Sequence, residues 1–225
     1  MWQQVPEEVR NLIRNEAAVV GRELKGVRTP RQLRRRLADP ALTERVAQPL
    51  SPVLDRICDL VGKTTVPISP PIGHALITAS AALGATLSSG LEAFGVLGIE
   101  LPPAAASAFA AAGTIGVATG LIEFYVTAAT ITTELRAVGR DDPALLRTAL
   151  LANYLHLDGL PERPAGAAVG DSLGQRLALA VLRRVATRWM PIVGIPVSVT
   201  MANRDLTRAR DHARRLGAGG QGEAP

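Results

Sequence analysis

From Thr64 to Thr133 the chain runs for 70 residues without a lysine or arginine, and its carboxylates there are Glu92, Glu100 and Glu123. Within that stretch Leu101–Ile122 presents 22 consecutive uncharged side chains. A run of this length ordinarily marks a transmembrane helix, because about 20 apolar residues cross the hydrocarbon core of a bilayer. Its quality argues otherwise. Eight alanines, three glycines, two prolines, two threonines and a serine leave six large apolar residues. At about −0.3 to −0.6 kcal/mol each, these contribute roughly −2 to −4 kcal/mol to insertion before any polar or backbone penalty. Small residues recur every fourth place, at Ser80, Gly84 and Ser88 and again at Ala112, Gly116 and Gly120. On helices such positions line one face and let a second backbone approach closely. The pattern predicts a tightly packed helical hairpin over about residues 74–138, with Gly84, Gly116 and Gly120 in its seam.

The flanks are different in kind. Residues 1–63 hold twelve basic and eight acidic groups, and residues 134–225 thirteen and nine. The net charge of +5 is therefore carried by both ends of the chain, around a nearly uncharged centre. Apolar residues make up 47% of the whole, which excludes a fully disordered chain, and a single cysteine, Cys58, excludes a disulfide scaffold. Two Trp, two Tyr and three Phe offer few platforms for stacking bases, and the arginines alternate with Asp and Glu. Nucleic acid is not an expected partner.

Helix punctuation is plentiful and strand signals are thin. A first helix is expected from Pro6, with Glu7 and Glu8 in its first turn and Val9, Leu12, Ile13, Val20 and Leu24 on its apolar side. Leu42–Val61 reads as helical with interruptions near Pro49 and Pro52. The hairpin should turn through Gly95–Pro103 and return as a long helix to about Val138. Asp141-Asp142-Pro143 caps the next helix, to about Leu157. Asp171 or Ser172 caps another, Pro191–Pro196 forms a turn, and a last helix reaches Leu216 with arginines on its polar face. Residues 217–225 are expected to be a disordered tail, and 1–216 one all-α domain: a helical bundle built around the Ala/Gly-rich apolar hairpin. The N-terminus lacks the apolar core of a secretory signal.

Motifs with chemical promise lose it in context. Gly170-Asp171-Ser172-Leu173 spells a GDSL-hydrolase signature, but no Asp-x-x-His occurs in the chain to supply a base. Gly62-Lys63-Thr64-Thr65 imitates the end of a phosphate-binding loop, yet Ile57 stands where that loop needs a glycine. His74, His156 and His212 are far apart and no Cys/His spacing suggests zinc, so neither metal nor cofactor is expected. Cys58 reads as a small packed thiol. Glu123 is the most informative residue, because its carboxylate falls inside an apolar helix and must pair, protonate or reach water. An arginine from a terminal helix is the expected partner; a polar site within the bundle is the functional alternative.

Two stretches resemble the bacterial EcsC family. One is Trp189-Met-Pro-Ile-Val-Gly-Ile-Pro196 followed by Met201-Ala-Asn203-Arg204 and Ala209-Arg-Asp-His-Ala-Arg-Arg215. The other runs from Gly113 through Glu123-Phe-Tyr-Val-Thr127 to Thr132-Thr133-Glu-Leu-Arg136, with Asp141-Asp142 after it. Together they span roughly half the chain. The resemblance implies a helical, bacterial, membrane-associated protein linked to a transporter complex, and carries over no enzymatic activity. Glu123, Thr127 and Asn203 are the candidate polar core or interaction site. Arg204, Arg208, Arg214 and Arg215 are the candidate contacts to an anionic membrane surface. The expected function is that of a non-enzymatic accessory to a membrane complex, at the inner face of the bacterial membrane. A conditionally inserting pore-like protein and a small-molecule hydrolase are the alternatives.

Overall fold

A computed structural model of the chain describes residues 6–23, 39–63, 71–82, 103–155 and 195–219, together with Ala178 and Val181. Every regular element among them is an α-helix, as the sequence leads one to expect. The helices are α1 (Glu7–Glu23), α2 (Pro40–Lys63), α3 (residues 71–82), α4 (Pro103–Ala137), α5 (Pro143–Leu155) and α6 (Ile195–Gly219).

α4 is the axis of the bundle. Its 35 residues extend for about 50 Å at 1.5 Å per residue. Glu123 to Thr132 are all buried, so this part of the helix has protein on every side. That is the expected fate of a helix that is apolar all round. α1, α2, α5 and α6 all pack on it, and neighbours in that order touch one another, forming an arc around the central helix. Leu121, Phe124, Ile131 and Leu135 are at most 2% exposed. Burial of each such side chain is worth about 1.5–3 kcal/mol. The rings of Phe124 and Tyr154, 5.7 Å apart and tilted, join α4 to α5. Among the described residues no helix is long and apolar enough to cross a membrane.

Helix ends follow local chemistry. The Pro6 carbonyl accepts the first bond of α1 from the Arg10 N–H at 3.0 Å. α4 stops where Gly139 takes φ +74°, with Arg140 N–H reaching back to the Leu135 carbonyl and Gly139 N–H to that of Arg136, both at 2.9 Å. This pair of bonds satisfies carbonyls the helix would leave open, and it needs the left-handed conformation glycine adopts without a steric penalty. Asp142 then caps α5: its Oδ1 accepts the Ala144 N–H at 2.8 Å, with Pro143 in the first helical position.

Three boundaries differ from the sequence reading. α2 is continuous through Pro49 and Pro52, where interruptions were expected. Each proline removes one backbone bond, but Leu50, Leu54, Ile57, Cys58 and Val61 form an unbroken buried stripe along this helix. Packing of that stripe outweighs the lost bonds. α6 begins at Ile195, so Pro196 lies in its first turn, where no N–H is needed, and not in a preceding turn. The same helix runs on to Gly219, three residues beyond Leu216, its expected end. The hairpin turn, Gly84, His156, Ser172 and residues 220–225 lie outside the described residues.

Candidate functional site

Glu123 and Asn203, singled out on different helices, both bond to α3. The single proton of the Ser80 hydroxyl has two acceptors within reach, the Ile77 carbonyl at 3.0 Å and Glu123 Oε1 at 3.4 Å. Asn203 Nδ2 donates to Thr78 Oγ1 at 2.9 Å and to the Val199 carbonyl at 3.0 Å. His74 Nδ1 lies 2.7 Å from Asn203 Oδ1. An amide oxygen only accepts, so His74 carries a proton on Nδ1. Thr127 is buried one turn beyond Glu123. These side chains form a polar seam that fixes α3 against α4 and α6. Ser80, read in sequence as a small packing residue, is a hydrogen-bonding member of that seam. Gly120 is buried in α4, and Gly116 lies on the same helix.

Arg210 and Arg214 of the last helix hold Glu134, about three turns beyond Glu123 on α4. Arg214 Nε donates to its Oε2 at 2.8 Å and Nη2 to its Oε1 at 3.3 Å, while Arg210 Nε donates to Oε1. Burial alone would raise the Glu134 pKa; the hydrogen bonds from Arg214 and Arg210, with their charges, outweigh it and hold the group below its usual range. The same bond raises Arg214. Arg210 and Arg214 are one turn apart on α6, a spacing in the sequence that could have pointed to a shared acidic partner. Of the four candidate membrane-facing arginines, Arg214 is thus occupied within the protein. Arg204 and Arg215 are exposed and Arg208 is half-buried.

Glu16 presents the opposite case. It is 7% exposed, and its Oε1 has no hydrogen-bond partner among the described residues. Burial raises its pKa.

Two cavities flank the C-terminal part of α2. The smaller, about 200 Å³, lies between α2, the end of α4 and the start of α5. Cys58 is in its wall, with a thiol that burial pushes up to about 12 in spite of Arg147. A thiol held protonated in this way is a poor nucleophile, as its sequence context suggests. Arg147 ties α5 to α2 through Asp55 at 3.3 Å and Asp59 at 3.6 Å. Thr132, also in this wall, has a buried hydroxyl without a partner among the described residues, whereas Thr130 and Thr133 bond to the carbonyls one turn back.

The larger cavity, about 580 Å³, opens between the start of α1 and the end of α2, with Tyr125 of α4 in its wall. Burial raises the Tyr125 phenol. Glu7 and Glu8 border it on α1, and Arg56 and Lys63 on α2. The sequence reading assigned Glu7 and Glu8 only to the helix dipole and Lys63 only to an imitation nucleotide loop. Their convergence with Tyr125 depends on α1, α2 and α4 meeting, which no local spacing encodes. Among the described residues there is no cluster of three or more His, Cys, Asp or Glu side chains fit to hold a metal ion.

Fold and site together define an all-α bundle with a buried central helix, a polar seam around α3 and two cavities beside α2. The chain matches no protein-family model, no curated protein and no solved structure.

Proposed function

We propose that the protein is an EcsC-like accessory protein of the bacterial cytoplasm, non-enzymatic and held at an anionic membrane surface by the outer face of α6. The observation that carries this reading is the makeup of that face. Ala202, Leu206, Ala209 and Ala213 are buried against the bundle. Met201, Arg204, Arg208 and Arg215 follow at intervals of three, four and seven residues and share another side of the helix. Met201 is 56% exposed, an uncommon position for a large apolar side chain. A basic strip around an exposed apolar residue suits a surface of anionic headgroups, into whose boundary the thioether dips. Asp205 and Asp211 lie on the same helix and moderate the attraction. The resemblance of residues 189–215 to the EcsC family points the same way.

The test is flotation of the full chain with vesicles containing phosphatidylglycerol, against vesicles of phosphatidylcholine alone. Each arginine near such a surface is worth about 1 kcal/mol, so replacing Arg204, Arg208 and Arg215 by glutamine lowers partitioning on the order of 100-fold. Equal partitioning of the triple variant and the native chain, or failure of the native chain to float with either vesicle, overturns the reading.

A further inference from the structure

The wall of the smaller cavity contains two polar groups that the fold leaves unused. Thr132 of α4 is 6% exposed, and its hydroxyl has no partner among the described residues. A helical threonine can turn that hydroxyl onto the carbonyl one turn back, as Thr130 and Thr133 do. Thr132 makes no such bond. Arg147 of α5 is the second case: its Nη2 faces Asp55 and Asp59, while its buried Nε has no partner among the described residues. Buried polar groups are hydrogen-bonded as a rule. A hydroxyl can donate and a guanidinium can only donate, so both are satisfied by an acceptor from outside the chain.

The charges around this cavity are unevenly engaged. Asp141 pairs with Arg136 at 3.1 Å, Asp142 accepts the Ala144 N–H at 2.8 Å, and Asp59 faces Arg147 at 3.6 Å. Lys63, at the end of α2, and Arg140, in the turn after α4, also border the space, and neither is in an ion pair among the described residues. Lys63 alone would only complement the dipole of α2. The Cys58 thiol, kept protonated by burial, adds no charge. The three carboxylates are therefore met by donors of the chain, while two cations are left to face an anion.

We infer that this cavity binds a small phosphate-bearing anion. Its oxygens accept from the Thr132 hydroxyl and from Arg147 Nε, and Lys63 and Arg140 balance its charge. Donors from three helices and a turn suit a tetrahedral group; a planar carboxylate engages fewer of them. At about 200 Å³ the space is smaller than the roughly 300–1,000 Å³ of pockets for drug-sized ligands, so it admits phosphate or a short phosphomonoester and excludes a nucleotide. Two sources share this chemistry, free inorganic phosphate and a phosphomonoester such as glycerol 3-phosphate. The site has no residue in common with the outer face of α6.

Calorimetric titration of the full chain with inorganic phosphate, and separately with glycerol 3-phosphate, at constant ionic strength in sodium chloride tests the site. Saturable binding of at least one probe is expected; tighter binding of phosphate assigns the free anion, and of glycerol 3-phosphate the ester. Acetate should bind at least about tenfold more weakly than the better probe. Thr132→Val keeps the shape of the side chain and should lose about fivefold in affinity, the worth of one hydrogen bond. Its thermal stability should not fall, since the hydroxyl bonds to none of the described residues. The double variant Lys63→Gln/Arg140→Gln should lose about tenfold. The α6 variant Arg204→Gln/Arg208→Gln/Arg215→Gln should bind as the native chain does, whether or not the membrane reading holds. No saturable binding of either probe below about 10 mM, as when water alone fills the cavity, overturns the proposal. Equal binding of acetate, undiminished binding by Thr132→Val or by the double variant, or loss of binding in the α6 variant does so as well.

Discussion

α4 meets α1 and α6 in two different ways, and the contrast is clearest in two carboxylates. On the α1 side, Val9 and Ile13 are at most 1% exposed, and Glu16 is buried among them with one oxygen unpartnered. On the α6 side, small residues, Ala202, Ala209 and Ala213, bring the helices together, and Glu134 takes hydrogen bonds from Arg210 and Arg214. The first contact is held by apolar area in spite of its carboxylate; the second is held in part through its carboxylate. Identical functional groups therefore acquire opposite pKa shifts within one bundle. Whether a buried acid stabilises depends on what the neighbouring helix offers it.

The largest expected effect tests the apolar side. Ile13→Ala should destabilise the protein by about 2–5 kcal/mol through lost transfer energy and a cavity. Denaturant melts should show this loss unchanged by added salt. A strong salt dependence would break the distinction between the two contacts.

Glu16→Gln comes next and acts in the other direction. Because the folded-state pKa of Glu16 is raised, the ionised group penalises folding at neutral pH, and protonation relieves that penalty as pH falls through the raised value. The amide should therefore stabilise the protein at pH 7 by about 1–2 kcal/mol. Its advantage should fade on acidification and be gone below the ordinary glutamate range. Thermal melts from pH 7 down to pH 4 decide this; an advantage constant with pH refutes the assignment.

The smallest effect belongs to Glu134→Gln. This folded-state pKa is lowered, so the stabilisation is fully present above the ordinary glutamate value and is lost as pH falls through the lowered one. At pH 7 the variant should melt on the order of 3 °C lower, since both arginines are partly exposed and the pair is screened. Added salt should shrink the difference. Opposite pH slopes for the Glu16 and Glu134 variants sharpen the comparison; parallel slopes would dissolve it.

Much of the architecture is legible from local chemistry. The Asp142-Pro143 cap and the single long helix through the uncharged stretch are written in neighbouring residues. So is the stripe of buried positions along α6, because helical periodicity sorts side chains without reference to any partner. The candidate site was legible only in part. Glu123 announces itself by interrupting an apolar run, and Asn203 by the resemblance of its surroundings. Neither discloses that α3 lies between them with Ser80, Thr78 and His74 as the bonding groups. Arg210 and Arg214 meet Glu134, a contact the sequence reading did not name, because nothing in the spacing records how far one helix is displaced along another. Proline misled for a related reason: Pro49 and Pro52 carry a local penalty that only the tertiary burial of Leu50, Leu54 and Ile57 offsets.

By itself, the sequence determined that this chain is helical, that its middle carries almost no charge, and where α5 is capped. These properties depend on residues within about one turn of each other, and composition and spacing express them directly. The tertiary structure alone decided that Arg210 and Arg214 meet Glu134, which arginines remain outward, and that Glu7, Glu8, Arg56, Lys63 and Tyr125 surround one cavity. Such groupings join residues from helices distant along the chain. They follow from the rotation and offset at which the helices pack, which the summed burial of many side chains sets and no short motif encodes.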